Sequence, residues 1–327
     1  MEFRTVIKPD VNKGLISHAS RMVMLGSCFS DSIGNKLKEN LFNVCVNPFG
    51  TLYNAASIAS VIERIANLVP FSEKDLIVNG NLYCSWLSHS SLSSSSPSKA
   101  VEMLNLALDN ARKSFEVADI VIITLGTSYV FNLKENGLTV ANCHKFPANI
   151  FERTKLSVDE TVNWIERIIA AVHSLSAKAK LIFTVSPIRH IADGLHGNQI
   201  SKATMLLAID RICHTHSDTC SYFPAYEALI DDLRDYRFYD SDMKHPSSVA
   251  VDYIYNLFSD AFFNESTKQL EKEARSLTKR LTHKMLTDDN LTISQFNNKT
   301  ALLTEALLQR NPEITEALQR FTKTIES

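Results

Sequence analysis

The sequence predicts an α/β fold, a three-layer α/β/α sandwich around a central parallel sheet, followed by a helical C-terminal extension. Two observations carry this reading and a third permits it. Ile120-Val121-Ile122-Ile123 and Leu181-Ile182-Phe183 are continuously apolar and rich in β-branched residues, the pattern of strands buried on both faces. Helical patterns alternate with such runs, and right-handed crossovers turn this βα rhythm into a parallel sheet covered on both sides. The 327 residues are enough to build that core without disulfide or metal staples.

Taken in order, Met22-Val23-Met24-Leu25 predicts a first strand that gives way at Gly26-Ser27 to a helix over 31–40. A short strand over 43–46 ends at Asn47-Pro48-Phe49-Gly50, a turn by its proline and glycine. A helix over 55–66 follows, and the serine-rich stretch 91–98 reads as an exposed loop. Ala100, Leu104, Ala107, Leu108 and Ala111 recur at spacings of three and four and predict a packed helix. Another helix, over 158–175, joins the two apolar strands. Pro246 suits a first helical turn, and Ala250, Ile254, Leu257, Phe258 and Ala261 continue it as an amphipathic helix. The main domain is expected to span 1–265. The extension, 266–327, carries apolar stripes at Leu270, Ala274, Leu277, Leu281 and Met285 and at Leu303, Leu307, Ile314, Leu318 and Phe321. These helices are expected to pack on the main domain; a homodimer contact through them, or docking of another protein, is the alternative.

Composition narrows the function classes. Thirty-four Lys and Arg against 36 Asp and Glu give a net charge of −2, which argues against nucleic acid or an anionic membrane as partner. No apolar run is long enough to span a bilayer, and the first residues lack a secretory pattern, so a cytoplasmic protein is expected. The six scattered cysteines fit reduced thiols better than a disulfide framework. No cofactor is expected.

In an open parallel sheet the working residues collect at the carboxyl ends of the strands. Ser27 stands there, at a helix start whose free N–H groups can stabilise an oxyanion. It is a candidate nucleophile, or else a capping serine. Asp242 lies three residues before His245, so it can hold the Nδ1 proton and leave Nε2 free to take a proton from a nucleophile. Cys28, at the same helix start, is an alternative nucleophile. Cys143-His144 is a second reactive pair to weigh against a core cysteine beside a polar loop. Cys213, His214, His216 and Cys220 offer metal-ligand types, but helical spacing splays them, and no metal site is expected. Arg189 and His190 follow the strand at 181–185 and face the active edge, Arg189 as a holder of substrate carboxylate or phosphate or as a partner of an acidic neighbour. Trp86 and His89 are lid candidates by position.

Gly26-Ser27-Cys28-Phe29, Asn47-Pro48-Phe49-Gly50-Thr51, Asn142-Cys143-His144-Lys145 and Thr184-Val185-Ser186-Pro187-Ile188-Arg189-His190 together resemble the GSCFA-domain family, which is grouped with the SGNH (GDSL-like) hydrolases. Ser30 stands where the family's naming motif has alanine. The resemblance runs from about residue 5 to about 265 and implies a flavodoxin-like sheet order. It also implies an esterase or O-acyltransferase that works through an acyl-serine on an acylated carbohydrate or another small molecule. By this likeness Ser27 matches the nucleophile, although Gly26 replaces the aspartate usual before it. Asp242 and His245 match the Asp-x-x-His-Pro block, and Gly50 matches a glycine whose N–H enters the oxyanion hole. Ser128 stands where the oxyanion asparagine belongs, with Asn142 as the amide that can replace it. His144, His190 and Arg189 are expected to contact substrate. Those departures leave a second reading, a non-catalytic small-molecule or carbohydrate-binding module on the same scaffold.

Overall fold

The computed structural model describes residues 5–286 and 288–326. Its strands are β1 (Arg21–Gly26), β2 (Asn43–Val46), β3 (Ile77–Asn79), β4 (Leu82–Cys84), β5 (Ile120–Leu125), β6 (Tyr129–Leu133), β7 (Thr139–Val140), β8 (Phe151–Lys155), β9 (Lys180–Val185) and β10 (Cys220–Tyr222). Five of them form one sheet in the order β10-β9-β5-β1-β2, and every pair is parallel. Counting only these five, the order is 2-1-3-4-5, the flavodoxin-like arrangement. Its crossover direction reverses between β1 and β5, the switch point at whose carboxyl end open α/β sheets carry their ligand sites.

The helices are α1 (Cys28–Glu39), α2 (Ala55–Ala66), α3 (Pro97–Glu116), α4 (Val158–Leu175), α5 (Gly194–Thr215), the short α6 (Ala225–Glu227), α7 (Ser248–Phe262), α8 (Glu265–Leu281), α9 (Asn290–Arg310) and α10 (Thr315–Glu326). Their starts are written locally: the side chains of Ser27, Asn54, Ser96, Ser157 and Ser247 cap α1, α2, α3, α4 and α7. Alternate strand residues serve opposite layers. Val23, Leu25, Val121, Ile123, Leu181 and Phe183 pack with residues of α2 to α5, whereas Met22, Met24, Ile120, Ile122 and Ile182 pack with α1 and α7. Both faces are therefore dry, which explains why the strand sequences are apolar without alternation.

Two small antiparallel sheets, β3-β4 and β7-β6-β8, were not anticipated. Short, half-buried strands such as β8, with sequence Phe-Glu-Arg-Thr-Lys, have too little apolar content to announce themselves. The extension begins at α8, two residues after α7 ends. Leu270, Ala274, Leu277, Leu307, Ile314, Ala317 and Leu318 close around Leu41, so this part of the two stripes packs within the chain, while Leu303 stays exposed. Among the described residues no helix is long and apolar enough to cross a membrane.

Candidate active site

Gly26 ends β1 at φ +145°, and a Cβ there would lie 2.2 Å from the Thr124 carbonyl oxygen. Only glycine allows β1 and β5 to approach so closely at the switch point. The Gly26 N–H donates to Asn47 Oδ1 (2.9 Å), while Asn47 Nδ2 donates to Asp31 Oδ1 (2.8 Å). One amide thus ties the ends of β1 and β2 to α1. The next residue, Ser27, is 1% exposed, and its Oγ accepts the Phe29 N–H at 3.3 Å. Its hydroxyl is turned into the helix start as an N-cap.

Cys28, the first helical residue, is half-buried. Its Sγ lies 3.6 Å from His245 Nε2. His245 Nδ1 donates to Asp242 Oδ2 at 2.6 Å, and Asp242 Oδ1 accepts the N–H groups of Lys244 (2.9 Å) and His245 (3.0 Å). The His245 N–H, its ring N–H and the Lys244 N–H hold the Asp242 carboxyl far below the usual carboxylate range. A carboxylate only accepts, so the proton of the imidazole sits on Nδ1, and the Nε2 lone pair faces the thiol. Burial pushes the Cys28 thiol up, opposed by N–H groups at the helix start and by the Lys202 ammonium, while Asp31 adds to the rise. The loop carrying the pair is braced. Asp240 N–H donates to the His245 carbonyl, Tyr239 bridges Pro246, and the Arg189 guanidinium lies 4.4 Å from the Tyr239 ring centroid.

Asp242 and His245 therefore meet as expected, but the imidazole reaches Cys28 rather than Ser27. Successive residues at a helix start point about 100° apart. The turn that caps the helix with Ser27 is the one that offers Cys28 to the histidine. The residues proposed for the oxyanion hole make contacts of their own. The Gly50 N–H is spent on the Asn47 carbonyl (2.7 Å), and Gly50, at φ +75°, makes room for His89, whose Cβ a side chain there would strike. Ser128 is buried, donating its N–H and hydroxyl to Ser201 Oγ at 2.8 and 3.2 Å. Asn142 Oδ1 accepts the His144 N–H (2.8 Å) in a tight turn, and His144 Nε2 reaches the Ser85 carbonyl (2.8 Å) beside Trp86. The Asn142 oxygen and the His144 ring thus tie this loop down locally. Trp86 packs on Phe146 and Phe151. Cys28, as first helical residue, has an N–H with no intrahelical acceptor.

His190 lies edge-on to Tyr53, and its buried Nε2 has no hydrogen-bond partner among the described residues. Burial holds the ring neutral, with a pKa lowered to about 4. His216 pairs with Glu166, His214 with Asp210, and the six cysteines are free. Among the described residues no group of three His, Cys, Asp or Glu is placed to hold a metal ion. Sequence reasoning missed Lys202 on α5. It is 1% exposed and donates to the carbonyls of Gly126 (2.8 Å) and Ser186 (2.7 Å), just beyond β5 and β9.

Fold and site together define a flavodoxin-like α/β sandwich with a thiol, an imidazole and a carboxylate aligned at its switch point. The chain belongs to the GSCFA family, whose model matches residues 21–258. Among solved structures it is similar to a Streptococcus pneumonia protein provisionally described as a platelet activating factor. The identity is 12%, the TM-score 0.36, and the match covers 74% of this chain and 83% of that one. It is also similar to a carbohydrate esterase family 3 protein from Talaromyces cellulolyticus, at 11% identity and TM-score 0.38, over 78% of this chain and 99% of the other. No curated protein matches.

Proposed function

We propose that the chain cleaves or transfers an O-acyl ester through an acyl-cysteine at Cys28, with His245 as general base and then general acid and Asp242 as its orienting carboxylate. The observation that carries the reading is the alignment of Cys28 Sγ, His245 and Asp242, at 3.6 and 2.6 Å. In the first half-reaction His245 Nε2 takes the thiol proton and the thiolate attacks the acyl carbonyl. The C–S bond forms, the ester C–O bond breaks, and the imidazolium returns its proton to the leaving alcohol. Water, or an acceptor hydroxyl, then gives a proton to Nε2 and attacks the thioester, releasing Cys28. The Cys28 N–H supports the oxyanion in both steps. A substrate on a small molecule or carbohydrate is the class the family resemblance implies.

This reading shifts the motif by one position relative to the likeness drawn from sequence. Ser27 then stands where related hydrolases carry the aspartate, and Cys28 where they carry the serine nucleophile. What favours it is the orientation of the two side chains: the Ser27 hydroxyl is buried on a backbone N–H, and the Cys28 thiol is accessible. The two assignments separate cleanly by experiment. Incubation with an activated short-chain ester, followed by peptide mass analysis, should give a hydroxylamine-labile acyl group on Cys28. Cys28→Ala and His245→Ala should each lower turnover by about 10⁴-fold or more, and combining them should add little. An acyl group on Ser27, or full turnover by Cys28→Ala, would overturn the proposal.

A further inference from the structure

A groove of about 960 Å³ lies along the outer edge of β2, walled by the last turns of α1 and α3 and by α10. All of β2 lines it, and β2 is the last strand of the sheet, paired only with β1. The Asn47 N–H donates to the Met24 carbonyl (2.9 Å). In the alternating register Asn43 and Cys45 therefore turn their backbone groups to β1, while Val44 and Val46 turn theirs outward. Among the described residues nothing bonds those two N–H and two C=O groups. Edge strands are usually shielded by proline, by charge or by a covering element. Here α3 and α10 flank the edge, and the strand itself, Asn-Val-Cys-Val, carries neither proline nor charge.

The charge around the groove is one-sided. Four cations line it, Arg21, Lys38, Lys113 and Arg320, against two carboxylates, Glu39 and Glu316, on a chain whose net charge is −2. Glu316 is taken by Arg21 and Arg320, whereas Lys38 and Lys113 have no ion pair among the described residues. Lys38 belongs to α1 and Lys113 to α3, which pack on opposite faces of the sheet. We propose that the groove docks an extended acidic segment of another protein, which joins the sheet as a sixth strand beside β2. Its backbone would pair with Val44 and Val46, and its side chains, alternating between the two faces, would bring carboxylates to Lys38 on one and Lys113 on the other. A second copy of this chain fits less well, because a symmetric contact sets each lysine against a like-charged surface. A fatty anion could meet the lysines but would leave the four backbone groups unpaired.

The inference is independent of the reaction at Cys28 and is tested without turnover. Random octapeptides displayed on phage are selected on the full chain, and the selected sequences, made with a fluorescein label, are titrated by anisotropy. They should be rich in Asp and Glu with β-branched residues between, and should bind more weakly as salt is raised. Lys38→Glu combined with Lys113→Glu should weaken binding about tenfold or more. Val46→Pro removes an outward N–H and leaves the pairing with β1 intact, so it should fold and weaken binding by a similar factor. Selected peptides without an acidic bias, or full affinity in a folded Val46→Pro chain, would overturn the proposal. Should that variant not fold, amide exchange on the parent chain decides: bound peptide should slow exchange at Val44 and Val46, and unchanged rates count against strand addition. Two other results also overturn it by naming a different occupant. One is a dimer in sedimentation that Val46→Pro abolishes. The other is dodecanoate binding that requires both lysines while exchange at Val44 and Val46 stays as it was.

Discussion

At the amino end of the sheet, Asn40 is surrounded by matched partners. Its Nδ2 donates to Tyr255 (2.8 Å) and Glu271 (2.9 Å), its Oδ1 accepts from Arg275 (3.1 Å), and its carbonyl accepts from His18 Nε2 (3.0 Å). Glu271 and Arg275 belong to α8, so this network and the adjoining Leu41 cluster dock the extension onto the end of α1. At the carboxyl end, Cys28 and His245 face each other across 3.6 Å beside solvent. There the Cys28 N–H lacks an intrahelical acceptor, and His190 Nε2 has no partner among the described residues. The Asn40 cap at the end of α1 is therefore fully partnered, even though His18 Nδ1 and Asn43 Oδ1 near it have no hydrogen-bond partner among the described residues, whereas the start of α1 leaves a backbone donor open. Saturation fixes an element in place. Incomplete pairing leaves groups that a ligand can complete, at a stability cost carried by the opposite end.

That division can be broken first at Leu41, fully buried between α1 and the extension. Leu41→Ala removes packing from the cluster and should cost about 2–5 kcal/mol in urea unfolding. Alkylation of Cys28 per folded molecule should not change. Loss of Cys28 reactivity without loss of stability would mean that the two ends are not separable.

A second test uses pH. Burial lowers the His18 pKa to about 4, with the bond to the Asn40 carbonyl opposing it. The folded ring stays neutral where an unfolded histidine, near 6.5, takes up a proton. The unfolded chain thus binds more protons between pH 6.5 and 4, and stability falls as pH falls through that window. The loss reaches on the order of 3 kcal/mol between pH 7 and pH 4 for this one group. His18→Phe, which keeps the stack on Phe42 (centroids 3.9 Å apart), should flatten the slope in this range. A slope that persists undiminished would assign the acid sensitivity elsewhere, with His190 the first candidate because burial lowers it to the same value.

How much of this was legible in the sequence differs by element. β5 and β9 announced themselves because both faces are buried, and α4 because Ser157 and Glu160 form a capping box before an apolar stripe. Asp242 and His245 were legible because their geometry is local, three residues within one turn. The choice between Ser27 and Cys28 was not, since it depends on which residue becomes the N-cap, and hence on a rotation that neither residue type dictates alone. The surroundings of Ser128 and Asn142 were not legible either. Ser128 gives its N–H and hydroxyl to Ser201, a neighbour 73 residues away that spacing does not reveal, whereas only the acceptor oxygen of Asn142 is engaged, by the His144 N–H. Lys202 was invisible. Helix α5 is buried along much of its length with polar Asn198, Ser201 and Thr204 among its buried residues, so no stripe marks Lys202 as an inward position.

The smallest expected effect is also the sharpest on the comparison. If the Ser27 hydroxyl is a cap, Ser27→Ala costs one hydrogen bond to the Phe29 N–H and lowers stability by about 1 kcal/mol, within a usual range of about 0.5–2. Cys28 would keep its place, because the Ser27 backbone is still held by the Thr124 carbonyl (3.2 Å) and by the Ser30 N–H (2.8 Å). Turnover per folded molecule should then fall by less than about tenfold, since the frayed first turn weakens but does not remove the helix-start field at the thiol. Ser27→Gly separates the cap from the side chain: glycine is itself a tolerated N-cap and should recover most of the lost stability. Complete loss of acyl adduct in Ser27→Ala, with an unchanged unfolding midpoint, would reverse the two roles. The hydroxyl would then have to leave its backbone partner to reach His245, and the carboxyl end would owe its chemistry to a side chain that the resting fold keeps covered.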